Sequence, residues 1–139
     1  MTSSYDLVVI NGTVVNHDGV WEGDIGVRDG KIAALGAIGA QSAAEVIDAR
    51  GLHILPGVID SHVHFREPGA EHKEDLETGS RAAVMGGVTT VFEMPNTGPP
   101  TTTAEALTDK LRRAEGRMYC DHAFYIGASL ENIGELAML

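Results

Sequence analysis

The stretch Ile54–Asp60, ILPGVID, is apolar almost without a break. A strand that shows one face to water alternates apolar and polar residues, so an unbroken run marks a strand covered on both faces, as in a parallel sheet. Parallel neighbours cannot be joined by a hairpin and need a crossover, usually a helix. The following sequence supplies one. Residues 73–85 read as a helix with small residues on one face, stopped by Gly86-Gly87. VTTVFEMP, from Val88, is the next strand. Thr102 and Glu105 form a capping box for a second helix, on which Ala104, Leu107, Leu111 and Ala114 share a face and after which Gly116 is the C-cap. HAFYIGA, from His122, is a third strand, and Ser129 caps a further helix beginning ENIGELAML. This order specifies an α/β architecture with a parallel sheet.

The first fifty residues have a different grammar. YDLVVI and TVVNH flank Asn11-Gly12, and DIGVR and KIAALG flank Asp29-Gly30; both dipeptides are two-residue hairpin signals. EVIDA and GLHIL continue the pattern around Arg50-Gly51. The expected organisation is a hairpin-rich β unit over residues 1–54, then βα units over residues 55–139. The closing ELAML has mid-helix character and three parallel strands leave an open edge, so a truncated chain is expected.

Charge and cysteine content narrow the function. The 139 residues include 20 acidic and 10 basic side chains, a formal net charge of −10. That balance disfavours nucleic acid or an anionic membrane as partner. The single cysteine, Cys120, excludes an internal disulfide framework and a multi-thiolate zinc site. No apolar run approaches the roughly 20 residues of a membrane helix, and the N-terminus lacks a basic, then apolar, leader. A cytoplasmic location is expected.

The chemistry concentrates where the apolar run ends, in GVIDSHVHFREPG, residues 57–69. Alternate residues of a strand share a face, so Asp60, His62 and His64 project together. Two imidazoles so placed can reach one divalent ion, with Asp60 as an orienting partner behind them. A bare His-x-His is more often two hydrogen-bonded loop histidines, and zinc typically takes four ligands. Arg66 offers a planar fork suited to a carboxylate, against the plainer expectation of an exposed arginine or one paired with Glu67. Glu67, Glu71, Lys73 and Glu74 read as a solvated loop and helix start. His17 and His53 read as structural, and Cys120 and His122 as packing or surface residues.

PGVIDSHVHFREPG, followed by EHKEDLETGSRAAVMGGVTTVFEMPNTGPPTTT, resembles the dihydroorotases of the amidohydrolase superfamily, of the type related to allantoinases and dihydropyrimidinases. The similarity runs over the whole chain, and the hairpin-rich start matches the family's β-sandwich. The resemblance implies the N-terminal portion of a metal-dependent (β/α)8 (TIM) barrel preceded by a small β-sandwich, with one or two zinc ions at the strand ends. It implies reversible conversion of N-carbamoyl-L-aspartate to (S)-dihydroorotate in pyrimidine biosynthesis. His62 and His64 match the first two zinc ligands. Arg66 and Asn96, with His64 beside them, match the groups that bind substrate. The bridging ligand and the general base are expected beyond Leu139, so the segment alone is expected to be inactive. If it did bind zinc unaided, Asp60, Glu93 and His122 would be the first further donors to examine. The implied complete protein is a homo-oligomer, with aspartate transcarbamoylase as a possible associate. Two alternatives stand beside this: an allantoinase or dihydropyrimidinase-like hydrolase, which Arg66 disfavours because those rings lack the carboxylate, and a non-catalytic relative serving in assembly.

Overall fold

The computed structural model describes residues 4–134 and residue 136. The chain divides into two compact units, Met1–Pro56 and Gly57–Leu139.

The N-terminal unit is one mixed five-stranded sheet. Strands β1 (Tyr5–Asn16), β2 (Gly19–Arg28) and β3 (Lys31–Gly36) form an antiparallel meander, and β4 (Ala43–Asp48) and β5 (His53–Ile54) both pair in parallel with β1. The Asp29-Gly30 turn is the expected hairpin, with φ of 52° and 69° at its two central residues. Asn11-Gly12 is not a turn. It is a bulge inside the continuous strand β1, where the register shifts between Val9 and Gly12 and Asn11 adopts φ 61°. Asp24, across the bulge, accepts the Asn11 N–H as well as those of Ile38 and Gly39. The real β1–β2 turn lies at His17-Asp18, with Asn16 paired to Gly19. Arg50-Gly51 is no hairpin either: β4 lies beside Tyr5–Ile10 and β5 beside Thr13–Val14, so the chain runs on along one edge of β1. Val8, Val14, Ile25 and Ala49 are the buried apolar residues of this unit.

In the C-terminal unit β6 (Val58–Val63), β7 (Val88–Glu93) and β8 (Asp121–Phe124) form a parallel sheet in sequential order. Helix α1 (Leu76–Met85) makes the first crossover and α2 (Ala104–Ala114) the second. The α/β class is thus as expected, and each crossover delivers the chain to the adjacent strand. The core comprises Phe65, Leu76, Val91 and Ala114, flanked by Val63, Ala83, Val88, Met118, Cys120 and Phe124. Gly79 faces it because a Cβ there would lie 2.6 Å from the Phe65 ring.

The helices differ from expectation in two instructive ways. Helix α1 starts at Leu76 rather than Lys73, because Asp75 and Thr78 close a capping box in which Asp75 Oδ1 accepts the Thr78 N–H at 2.7 Å. Helix α2 is capped by Thr103, one residue later than the sequence suggests, through the Ala106 N–H. It is also rotated: Lys110 is 1% exposed, whereas Leu111 is 50% exposed. After β8, the Ser129 hydroxyl accepts the N–H groups of Glu131 and Asn132, and residues 131–134 form a turn where a helix was expected. Residues 135 and 137–139 of that expected helix lie outside the described residues. Among the described residues no helix is long and apolar enough to cross a membrane.

Candidate active site

Val63 and Phe65 pack into the core under the helices. Asp60, His62 and His64 alternate with them and are exposed on the opposite face of the sheet. The two imidazoles converge, with His62 Nε2 and His64 Nε2 3.2 Å apart and the rings edge-on. His64 Nδ1–H donates to Asn96 Oδ1 at 2.8 Å. This bond assigns the proton to Nδ1 and leaves the Nε2 lone pair facing His62. Asp60 takes no imidazole; its Oδ1 accepts the backbone N–H of His62 at 3.0 Å.

Asn96 stands on the loop after β7, and that loop is held at both ends. The Met94 N–H donates to Val63 O, the Thr101 N–H to Pro95 O, and the Gly127 N–H to Thr101 O. Thr97 Oγ1 donates to Pro99 O at 2.8 Å. The loop therefore bridges the end of β6, through the residue before His64, and the segment after β8.

The donor geometry can be tested against an ion. Two nitrogens each about 2.0–2.1 Å from one tetrahedral ion lie about 3.3–3.4 Å apart. The observed 3.2 Å fits such an ion. The pair is nevertheless half of a donor set. Among the described residues no cluster of three or more His, Cys, Asp or Glu is placed to hold an ion. Glu93 and His122 cannot extend it, because Val91 and Phe124, two residues away in β7 and β8, place them on the helix face of the sheet.

Arg66 follows in the loop after β6. It is exposed, and its guanidinium has no hydrogen-bond or ion-pair partner among the described residues. Glu67 is the reverse of the solvated residue its sequence neighbourhood suggests. It is 4% exposed, receives Arg117 in a bidentate pair at 2.8 and 3.0 Å, and accepts the Leu76 N–H at the start of α1. Burial pushes its carboxyl up, but the Arg117 hydrogen bonds and the Leu76 N–H outweigh this and hold it below the usual glutamate range. Arg113 adds a longer contact to Glu67 and one to Glu71.

Glu93 ends β7 in a second buried pair. Lys110 Nζ donates to its Oε2 at 2.6 Å, both side chains being 1% exposed, while Oε1 has no partner among the described residues. Burial pushes the Glu93 carboxyl up, and the Lys110 ammonium pulls it only part of the way back. Neither Glu67 nor Lys110 stood out in the sequence. The available signal was the spacing of Lys110 and Arg113, cations three residues apart on α2, with Arg117 following shortly after the helix ends.

Residues 51–139 match the dihydro-orotase-like family, and residues 1–56 match the N-terminal domain of the urease alpha-subunit. The chain belongs to the dihydro-orotase-like family of amidohydrolases. Within it, the chain is 44% identical over 138 residues to an allantoinase of Rubrobacter xylanophilus, covering 99% of this chain and 30% of that protein. It is 43% identical over 139 residues to an allantoinase of Desulfitobacterium hafniense, covering 97% of this chain and 31% of that protein. In structure it is similar to an L-hydantoinase (dihydropyrimidinase) from Arthrobacter aurescens, with TM-score 0.88, 40% identity, and coverage of 96% of this chain and 30% of that one. A D-hydantoinase (dihydropyrimidinase) from Thermus sp. gives TM-score 0.78 at 32% identity, covering 95% of this chain and 30% of that one. The chain thus spans about 30% of the length of these relatives. They carry the names of cyclic-amide hydrolases other than dihydroorotase, which moves the weight to the allantoinase and dihydropyrimidinase alternative. Arg66, which was expected to disfavour that alternative, lies within residues 51–139, the stretch that the family matches.

Proposed function

We propose that this chain is part of a metal-dependent cyclic amidohydrolase, built on a (β/α)8 barrel, that opens a five-membered ureide ring of the allantoin or hydantoin kind. The single observation that carries the reading is the convergence of His62 Nε2 and His64 Nε2 at 3.2 Å, with His64 locked in the Nδ1–H tautomer by Asn96. Support for the ring class comes from the names of the allantoinase and hydantoinase relatives. His62 and His64 would hold zinc through Nε2, with the remaining ligands supplied from elsewhere in the complete protein. A divalent ion there supplies Lewis acidity toward a ring carbonyl and lowers the pKa of water. Asn96 Oδ1 takes the Nδ1–H of His64, which orients the ring and leaves its Nε2 edge for the ion. Arg66 adds a fork of donors one strand-end away, able to bind ring carbonyl oxygens.

A second reading, dihydroorotase, is favoured by one observation: the Arg66 guanidinium is exposed and unpaired among the described residues, as a carboxylate-binding group would be. The deciding experiment assays the complete protein on allantoin, hydantoin and dihydroorotate and measures its zinc content. The proposal expects turnover of allantoin or hydantoin with a much larger kcat/KM than for dihydroorotate, and loss of zinc and turnover in His62→Ala and His64→Ala. Undiminished zinc in both variants would remove the metal role of the pair. Preference for dihydroorotate, with Arg66→Ala raising its KM about 10- to 100-fold for a lost charge-assisted hydrogen bond, would establish the second reading.

A further inference from the structure

The pair of Glu93 and Lys110 is unexplained by the reaction. It lies on the helix face of the sheet, opposite the face that carries the histidines, yet the lysine is 1% exposed at a helix position that an aliphatic side chain could fill. A buried ion pair is commonly neutral or worse for stability compared with a well-packed apolar pair. Its distinguishing property is direction, since each hydrogen bond fixes a particular atom.

The bonds made here run toward the candidate site. Lys110 Nζ donates to Glu93 Oε2 at 2.6 Å and to the Met94 carbonyl at 3.4 Å, and stands 5.5 Å from the centre of the Phe124 ring. The same two residues are tied across the sheet, Met94 N–H to Val63 O and Tyr125 N–H to Glu93 O, each at 2.9 Å. Val63 precedes His64, and Met94 stands two residues before Asn96, whose Oδ1 receives His64 Nδ1–H. With Oε1 unpartnered, the Glu93 carboxylate has Lys110 as its one side-chain anchor among the described residues.

We propose that Lys110 is a positioning residue for the metal site: by tying Glu93 and the Met94 carbonyl at the end of β7, it fixes the loop that carries Asn96 and, through Asn96, the orientation of His64. The inference rests on the metal-dependent reading above and adds a residue on the far face of the sheet to the apparatus that sets ligand geometry.

The test uses the complete protein and cobalt(II) as probe. The double variant Glu93→Leu/Lys110→Met removes both charges together, so no unpaired buried charge remains. Cobalt Kd, the cobalt absorption spectrum, and the imidazole 15N shifts of His64 in the metal-free protein are compared with wild type, with Tm measured alongside. The expected result is a Tm near wild type, a cobalt Kd weakened about tenfold, in the range for loss of a group behind a metal ligand, and an altered His64 tautomer signature. Asn96→Ala should weaken cobalt at least as much, and adding it to the double variant should cost little more, because Lys110 acts through Asn96. A folded double variant with wild-type cobalt affinity and His64 shifts overturns the inference, as does full additivity with Asn96→Ala. If that double variant does not fold, Glu93→Gln/Lys110→Met, which likewise removes both charges and the Lys110 donor, is judged by the same outcomes. Failure of the underlying reading looks different: the wild-type protein itself would bind no cobalt at the histidine pair.

Discussion

The loop after β6 and the end of β7 each bury a glutamate, and they do so by opposite strategies. Glu67 is gripped by several partners, Arg117 twice, Arg113 once and the Leu76 N–H, so both oxygens are satisfied. Among the described residues Glu93 has one ammonium and an unpartnered oxygen. The first arrangement stabilises ionised carboxylate within a network that also caps α1. The second leaves a carboxyl whose burial is only partly compensated. The lesson is that burial alone does not set what a charge does: the number of directed donors decides whether the group anchors the fold or is itself held at a cost. In the N-terminal unit carboxylates take a third course, with Asp24 and Asp48 nearer the surface and accepting backbone N–H groups at a bulge and a turn.

The contrast is broken most severely by Lys110→Ala. It leaves Glu93 buried with no counter-charge, and the expected loss is about 3–5 kcal/mol, read as a large fall in Tm of the complete protein. A fall no larger than that of an ordinary surface variant would show that the Glu93 carboxyl is already neutral. Arg117→Ala should cost less, about 1.5–3 kcal/mol and toward the lower end, since its side chain is 33% exposed and Glu67 keeps Arg113 and the Leu76 N–H. If Arg117→Ala proved the more damaging, the ranking by number of donors would be wrong. Asp24→Asn, which keeps an acceptor but removes the charge, should cost about 0.5–1.5 kcal/mol, visible in thermal melts as a change in the N-terminal unit.

The smallest effect has the sharpest sign. The folded value of Glu67 is lowered from its ordinary 4.5, so its contribution is complete above that pH and is lost as pH falls through the lowered value. The folded value of Glu93 is raised, so its ionised form costs stability above the raised value, and acidification down to about 4.5 relieves that cost. Between wild type and Glu67→Gln the Tm gap should therefore narrow on acidification below 4.5. Between wild type and Glu93→Gln it should move in favour of wild type as pH falls toward 4.5. Gaps that move the same way in both variants would merge the two regions into one electrostatic class.

Much of this molecule was legible in its letters. The Gly86-Gly87 stop and the helical spacing of residues 104–114 determined a βα series, because periodicity and capping act within a few residues of chain. The apolar run Ile54–Asp60, expected as one strand covered on both faces, instead divides between β5 and β6 and leaves Val58 and Ile59 exposed. The same short range placed Asp60, His62 and His64 on one face and made a turn of Asp29-Gly30. Asn11-Gly12 carried the same kind of signal and became a bulge. A left-handed residue fits a strand interior as well as a turn, and only the pairing of β1 with β2 on both sides of it decides between them. Which face of α2 turns inward was likewise decided in three dimensions. Leu111 belonged to the apolar stripe, but the buried Glu93 lies 17 residues before Lys110 and draws the helix round to it. Glu67 meets Arg117 across 50 residues, and Asn96 meets His64 across 32. Such pairs leave no local pattern, because the chain between them carries no trace of the contact. Sequence alone determined the strand–helix order of residues 58–124 and the histidine pair, and the tertiary structure decided which charges are buried, what holds them, and how the pair is aimed.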